Sequence, residues 1–161
     1  MKKLLLVRHG KSSWDLKVRD HDRVLLERGI NDAHLIGCAL SEMGLSYDAI
    51  WSSTAARALQ TATIISEYVD YSLSNFQLKR ELYTFDGDDL LQSIINCPNE
   101  VDTLMLFSHN HGLTDLVNKL GNQYFNNVPT TGVVIIEFNS DNWMDIKKGQ
   151  TISHLFPKKL K

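Results

Sequence analysis

Short, continuous apolar runs alternate along this chain with stretches whose apolar residues recur at helical spacing, and that alternation sets the fold class. Residues 3–7 and 103–107 are short continuous apolar runs, the first reading as a strand buried on both faces, and residues 47–52 and 133–138 read as further strands. Between them run helical stripes. Ala33, Ile36, Leu40 and Met43 predict a helix from about Glu27 to Met43, with Gly44 as its stop. Ala58, Ala62, Ile65 and Val69 mark a second helix, and residues 88–95 a third that ends before Pro98. Leu113, Leu116, Val117 and Leu120 mark a fourth, which stops at Gly121. A weaker strand is expected over residues 75–79 and a last one over residues 143–147. The expectation is an α/β fold: one three-layer domain over residues 1–161, with a mostly parallel central sheet flanked by helices. Two long connections, residues 10–26 and 121–132, break the beat; long loops in compact domains are usually functional or disordered, and the first of these is polar and directly follows the first strand.

Composition narrows the function classes. Seventeen Lys and Arg against nineteen Asp and Glu leave a formal charge of −2. That balance argues against a nucleic acid or an anionic membrane as partner, and leaves room for a local basic pocket. Two cysteines are too few for a disulfide framework and suit a reduced, cytoplasmic chain. Cys38 is expected to be a small buried hydrophobe and Cys97 to sit at a helix end. The opening Lys2-Lys3 is followed by an apolar run broken at Arg8, against the ~7–15 residues of a secretory signal. No stretch approaches the ~18–20 apolar residues of a membrane span.

Ligands of open α/β sheets bind beyond the carboxyl ends of the strands. The first strand ends in Arg8-His9-Gly10, and the second in Ser52-Ser53, with Arg57 at the mouth of the following helix. The third runs into Arg80-Glu81 and the fourth into Ser108-His109. Two guanidiniums can grip a tetrahedral oxyanion with charge-assisted bonds. A neutral imidazole can attack phosphorus and carry the phosphoryl group, splitting one difficult displacement into two. A second imidazole can stabilise transition-state charge, and a carboxylic acid can protonate a leaving group. His9, Arg8, Arg57, His109 and Glu81 are thus the candidate catalytic residues, the first four also binding phosphate. The set needs no metal and no cofactor, because Arg and His supply the positive charge. His109 and His111 at strand spacing would point both rings to one face, which could be half of a metal site, but carboxylates at ligand spacing are missing nearby. His34 and His154 have no strand-end placement and read as structural.

The segment Leu4-Leu5-Leu6-Val7-Arg8-His9-Gly10 resembles the opening motif of the histidine phosphatase, or phosphoglycerate mutase-like, superfamily. Ser52-Ser53-Thr54-Ala55-Ala56-Arg57 is similar to the segment bearing the family's second arginine. Glu81 falls in the region of its proton donor, and Phe107-Ser108-His109 resembles the segment bearing its second histidine. Lys11 to Trp14, Asp22 to Leu25, Glu27 to Gly29 and Leu82-Tyr83 look like the short SixA-like phosphohistidine phosphatase branch. The resemblance implies a phosphoglycerate mutase-like fold and phosphorylation of His9 during turnover. Arg8, Arg57 and His109 would then form the phosphate pocket of a metal-independent phosphatase. Its partner would be a protein bearing phosphohistidine; alternatives are small phosphate esters or a non-catalytic phosphate-binding role. The chain would act as a monomer. Phosphohistidine can leave with its imidazole already protonated, so Glu81 is a candidate donor that such a reaction could do without.

Overall fold

A computed structural model describes residues 1–161. In chain order the elements are β1 (Lys2–Arg8), α1 (Glu27–Glu42), β2 (Ser46–Tyr47), β3 (Ala49–Ser53), α2 (Ala56–Ser66), β4 (Asp70–Tyr71), β5 (Phe76–Lys79), α3 (Gly87–Ile95), β6 (Thr103–Ser108), α4 (Gly112–Leu120), β7 (Val133–Phe138), β8 (Gln150–Leu155) and α5 (Pro157–Leu160). Six strands form the central sheet in the order β5-β3-β6-β1-β7-β8. β1, β3, β5 and β6 pair in parallel, and β7 runs antiparallel to both β1 and β8. The expected mostly parallel sheet between helical layers is what forms.

The layers follow from the two-residue period of β1. Leu4 and Leu6 face one core, with Leu90 and Ile94 of α3 and Leu113, Leu116 and Val117 of α4. Leu5 and Val7 face the other, with Ala33, Ile36 and Leu40 of α1 and Ala62 and Ile65 of α2. A strand with apolar partners on both faces must be apolar throughout, which is why β1 and β6 read as unbroken runs. α1 stops where Gly44 adopts a φ of +68°, the left-handed conformation glycine takes without strain.

Two expectations need correction. Residues 143–147 hold no strand: Trp143–Asp145 is a single 3-10 turn, with Asn142 accepting the Asp145 amide. The Trp143 ring is fully buried and its Nε1–H donates to the Val101 carbonyl at 2.7 Å, so this apolar cluster plugs the core beneath a turn. The last strand is β8, whose mixed sequence suits an edge strand with one partner. Cys38 is exposed, because it falls two residues from both Ile36 and Leu40 and so turns to the opposite face of α1. Cys97 is buried, and burial pushes its thiol up to about 12, which leaves it unreactive.

Residues 10–26 are tied down at both ends. Gly10 N–H donates to Thr61 Oγ1 at 3.0 Å, and Ser13 and Leu26 donate to Val24 and Lys11. Gly29 in the first turns of α1 lets that loop pass. A Cβ there would stand 2.3 Å from the Lys11 carbonyl oxygen, in contact with backbone that cannot swing aside. Gly29→Ala should therefore cost roughly 1–3 kcal/mol, despite alanine's better helix propensity. A urea titration reads the difference; a variant as stable as the parent would show that the loop is not pinned at this contact.

Candidate active site

Arg8 ends β1 and His9 follows it, so the strand delivers both side chains to the carboxyl edge of the sheet. The His9 backbone is held on two sides: its N–H donates to Ser108 at 3.3 Å, and its carbonyl accepts from Thr131 at 3.0 Å. Thr131 takes a φ of 61°, a left-handed conformation that costs a non-glycine residue on the order of 1 kcal/mol and here closes the loop over the end of β1. Arg8 donates from one terminal nitrogen to the Val128 carbonyl at 2.9 Å, while its buried Nε has no protein partner.

The His9 ring is oriented by its own backbone. Nδ1 lies 2.7 Å from the Gly10 carbonyl, which can only accept, so Nδ1 carries the proton and Nε2 keeps its lone pair. The Nε–H of Arg57 donates to that lone pair at 3.3 Å. Burial pushes the His9 pKa down to about 3; the Gly10 hydrogen bond opposes the shift, and the charges of Arg57, Arg8 and Arg23 add to it. The imidazole is neutral at any ordinary pH, as a nucleophile must be.

Arg57 stands in the first turn of α2 and is buried. Its terminal nitrogens donate to the Asp20 carbonyl at 2.7 Å and to Asp20 Oδ2 at 3.0 Å. Asp20 Oδ2 also accepts from the Tyr83 hydroxyl at 2.6 Å, and Oδ1 lies 3.3 Å from Arg23 Nε. Burial alone would raise the Asp20 pKa, but the bonds from Tyr83 and Arg57 outweigh it and hold the carboxyl below its usual range. The Arg23 guanidinium lies 3.5 Å from the centre of the Trp14 ring.

His109 follows β6 with its ring centre 5.1 Å from that of His9. Its Nε2 lies 2.8 Å from Ser53 Oγ, which already accepts from the Ala55 amide and has its proton to give. With Ser53 donating to Nε2, the proton of His109 is on Nδ1, which is buried without a protein partner. Tyr83 and Phe85 pack against the ring at 5.4 and 5.5 Å. Burial drives the His109 pKa down to about 2, with the charges of His9 and Arg57 assisting. Arg8, His9, Arg23, Arg57 and His109 line one cleft of about 240 Å³. An oxyanion beside His9 Nε2 would meet guanidinium and imidazole donors and be crowded by one carboxylate, already engaged by two arginines.

Four of the five sequence candidates thus converge. Glu81 does not: it is exposed on the short Arg80–Leu82 turn, 3.8 Å from Lys79, and faces a separate groove with Trp51 and Gln92. The pairing of His109 with His111 also fails, because the chain turns between them. His109 is buried, whereas His111 is exposed at the start of α4, and no three His, Cys, Asp or Glu side chains gather as a metal site. Asp20 is absent from the sequence candidates, and Ser53 and Tyr83 enter them only inside quoted motifs, with no role assigned. The signal for Asp20 is the length and position of its loop.

The chain matches the model of the histidine phosphatase superfamily (branch 1) over residues 4–85. An uncharacterized chloroplastic protein of Arabidopsis thaliana is 30% identical over 151 residues, covering 88% of this chain and 69% of that protein. A segment of 71 residues, 41% of this chain, is 41% identical to a 2,3-bisphosphoglycerate-dependent phosphoglycerate mutase of Rhizobium etli and covers 33% of that protein. Among solved structures, the protein histidine phosphatase SixA complexed with tungstate superposes with a TM-score of 0.84 at 20% identity, covering 99% of both chains. A putative phosphohistidine phosphatase SixA from Agrobacterium tumefaciens gives 0.77 at 26% identity, covering 96% of this chain and 97% of that one.

The two buried neutral histidines set a pH dependence. In the unfolded chain each titrates near 6.5, so acid protonates the unfolded state first. Stability should be lost as pH falls below about 6.5 and continue to fall toward about 3, where His9 itself protonates. Urea midpoints should drop steadily between pH 7 and pH 5, and imidazole NMR shifts of His9 and His109 should stay neutral across that range. A titration midpoint near 6.5 for either ring would contradict the buried geometry.

Proposed function

The chain belongs to the histidine phosphatase superfamily, and from that membership we propose that it hydrolyses phosphoryl groups through a covalent phosphohistidine on His9, without a metal, and that its substrate class is protein phosphohistidine. The observation that carries this reading is the state of His9: neutral, fixed by the Gly10 carbonyl, with the Nε2 lone pair turned toward Arg57.

In the first step Nε2 attacks phosphorus and the bond to the leaving group breaks. The N–P bond formed takes the lone pair that Arg57 Nε–H had bonded, so that donor is freed for a phosphoryl oxygen as charge develops. Arg8 and His109 Nδ1–H add donors to the same oxyanion. In the second step water attacks the phosphorylated His9, phosphate departs, and Nε2 recovers its lone pair. A departing imidazole takes a proton readily, so the first step does not depend on a strong enzymic acid. The exposed position of Glu81 suits that economy.

A protein substrate is favoured by the site's setting. The cleft lies at the surface, flanked by the exposed rings of Trp14 and Phe85. A SixA structure of the same fold is described as a protein histidine phosphatase bound to tungstate, an oxyanion of the kind this cleft suits. No helix is long and apolar enough to cross a membrane. We place the activity in a cytoplasmic monomer, on the reduced cysteines and the modest net charge.

His9→Ala should keep the fold and lose turnover, about 10⁴-fold or more for removal of a nucleophile. With chelator present throughout, rapid quench of the parent with substrate should trap acid-labile phosphate on His9 Nε2. Turnover by clean His9→Ala protein, or trapped phosphate on another residue, would remove this mechanism.

Glu81→Gln should change kcat/KM by less than about twofold for both a phosphohistidine peptide and an alkyl phosphate, as expected of an exposed side chain outside the cleft. A loss of ~100-fold or more on the alkyl phosphate would instead identify Glu81 as the proton donor to alcohols.

A further inference from the structure

Beside the catalytic cleft lies a second recess, of about 380 Å³, lined by Arg19, His21, Thr54, Arg80 and Tyr83. Two arginines and no carboxylate stand among its lining residues. Arg80 is exposed and makes no ion pair or side-chain hydrogen bond. Arg19 is 81% exposed and binds Asp22 through Nε and one terminal nitrogen, at 3.1 and 3.3 Å. His21 Nε2 lies 2.8 Å from Thr54 Oγ1, and its Nδ1 lies 3.6 Å from the same Asp22. Asp22 is the carboxylate that answers these cations. Glu81, next to Arg80 in sequence, is paired with Lys79 instead. Two arginines against one carboxylate leave a positive recess.

Tyr83 joins the recess to the reaction centre. One edge of its ring packs against His21 at 4.9 Å and another against His109 at 5.4 Å. Its hydroxyl holds Asp20, which holds Arg57. Arg19 and His21 flank Asp20 in the chain and share its short 3-10 turn. A ligand that spans Tyr83 would therefore touch the same turn that positions the phosphate-gripping arginine.

We propose that this recess is an anion subsite, which receives a second negatively charged group of the substrate while the phosphoryl group lies against His9. The ligand chemistry is a carboxylate or phosphate gripped by Arg80 and by the free edge of Arg19. The inference rests on the phosphatase reading above and extends it. For a protein substrate the second anion is an acidic side chain beside the phosphorylated histidine; for a small substrate it is a second phosphate. Arg80 is then a specificity residue.

The test measures binding, so that it stands apart from turnover. One pair of peptides carries a non-hydrolysable phosphohistidine analogue, flanked on both sides by Glu in one and by Gln in the other. A second pair is propane-1,3-diyl bisphosphate and propyl phosphate. Dissociation constants at low salt are compared for the parent, Arg80→Gln and the Arg19→Gln, Arg80→Gln double variant. The parent should prefer the Glu-flanked peptide roughly fivefold, as expected for a partly exposed ion pair, and the preference should fall within about twofold in the double variant. The ratio cancels any loss common to both members of a pair. A preference confined to the bisphosphate pair and lost in the variants would support the subsite with a small-molecule source. No preference in either pair, or one that survives the double substitution, would overturn it. Turnover of an authentic phosphohistidine peptide, assayed separately, tests the catalytic reading alone.

Discussion

β1 is hydrogen-bonded to β6 on one side and to β7 on the other, and Leu4 to Val7 are wholly buried beneath helices on both faces. A strand so enclosed cannot slip by one residue without exchanging its two apolar faces, and both faces are filled. Its end is therefore a fixed point. Arg8 and His9 inherit that rigidity, and the parallel register with β6 brings Ser108 opposite Arg8, so that His109 emerges beside His9. The sheet thus sets the positions of both histidines. The loops add Thr131, whose amide donates to the His9 carbonyl at the expense of a left-handed conformation, and Val128, whose carbonyl accepts from the Arg8 guanidinium.

The charge arrangement has an internal logic. Three arginines surround the buried His9, where each would repel a protonated imidazole. Their effect and that of burial point the same way, toward a neutral ring with an open lone pair. Unbalanced guanidiniums would repel one another as well. Asp20 answers this by bridging Arg57 and Arg23, and Tyr83 donates to the same carboxylate. The pocket thus stays cationic enough for a phosphoryl group while Arg57 is held in one orientation. The loop of residues 10–26 supplies that carboxylate, along with Arg23 and Trp14. Its length is explained by the site it completes.

Tyr83 ties the chemistry to its surroundings. It packs on His109, donates to Asp20 and walls the basic recess around Arg80. Glu81, two residues earlier, is exposed, lies 3.8 Å from Lys79 and shares with Tyr83 a groove outside the cleft of His9.

Periodicity alone determined the layered α/β fold, and the strand ends named Arg8, His9, Arg57 and His109. Burial writes itself into local spacing: a strand covered on both faces must be continuously apolar, and the polar residues that end it stand out against that run. Three kinds of feature carried no such mark. β8 alternates weakly because an edge strand buries little, and the Trp143 turn looked like a strand because a buried turn can be as apolar as one. Whether Glu81 faced the cleft depended on the direction of one short turn, which residue type does not encode. Asp20 reaches Arg57 across 37 positions of chain. Such a bond exists only when the loop folds back over the sheet, so it follows from long-range closure and not from any local pattern. Tertiary structure decided how these candidate residues are oriented and charged; the sequence had decided which of them the sheet would bring together.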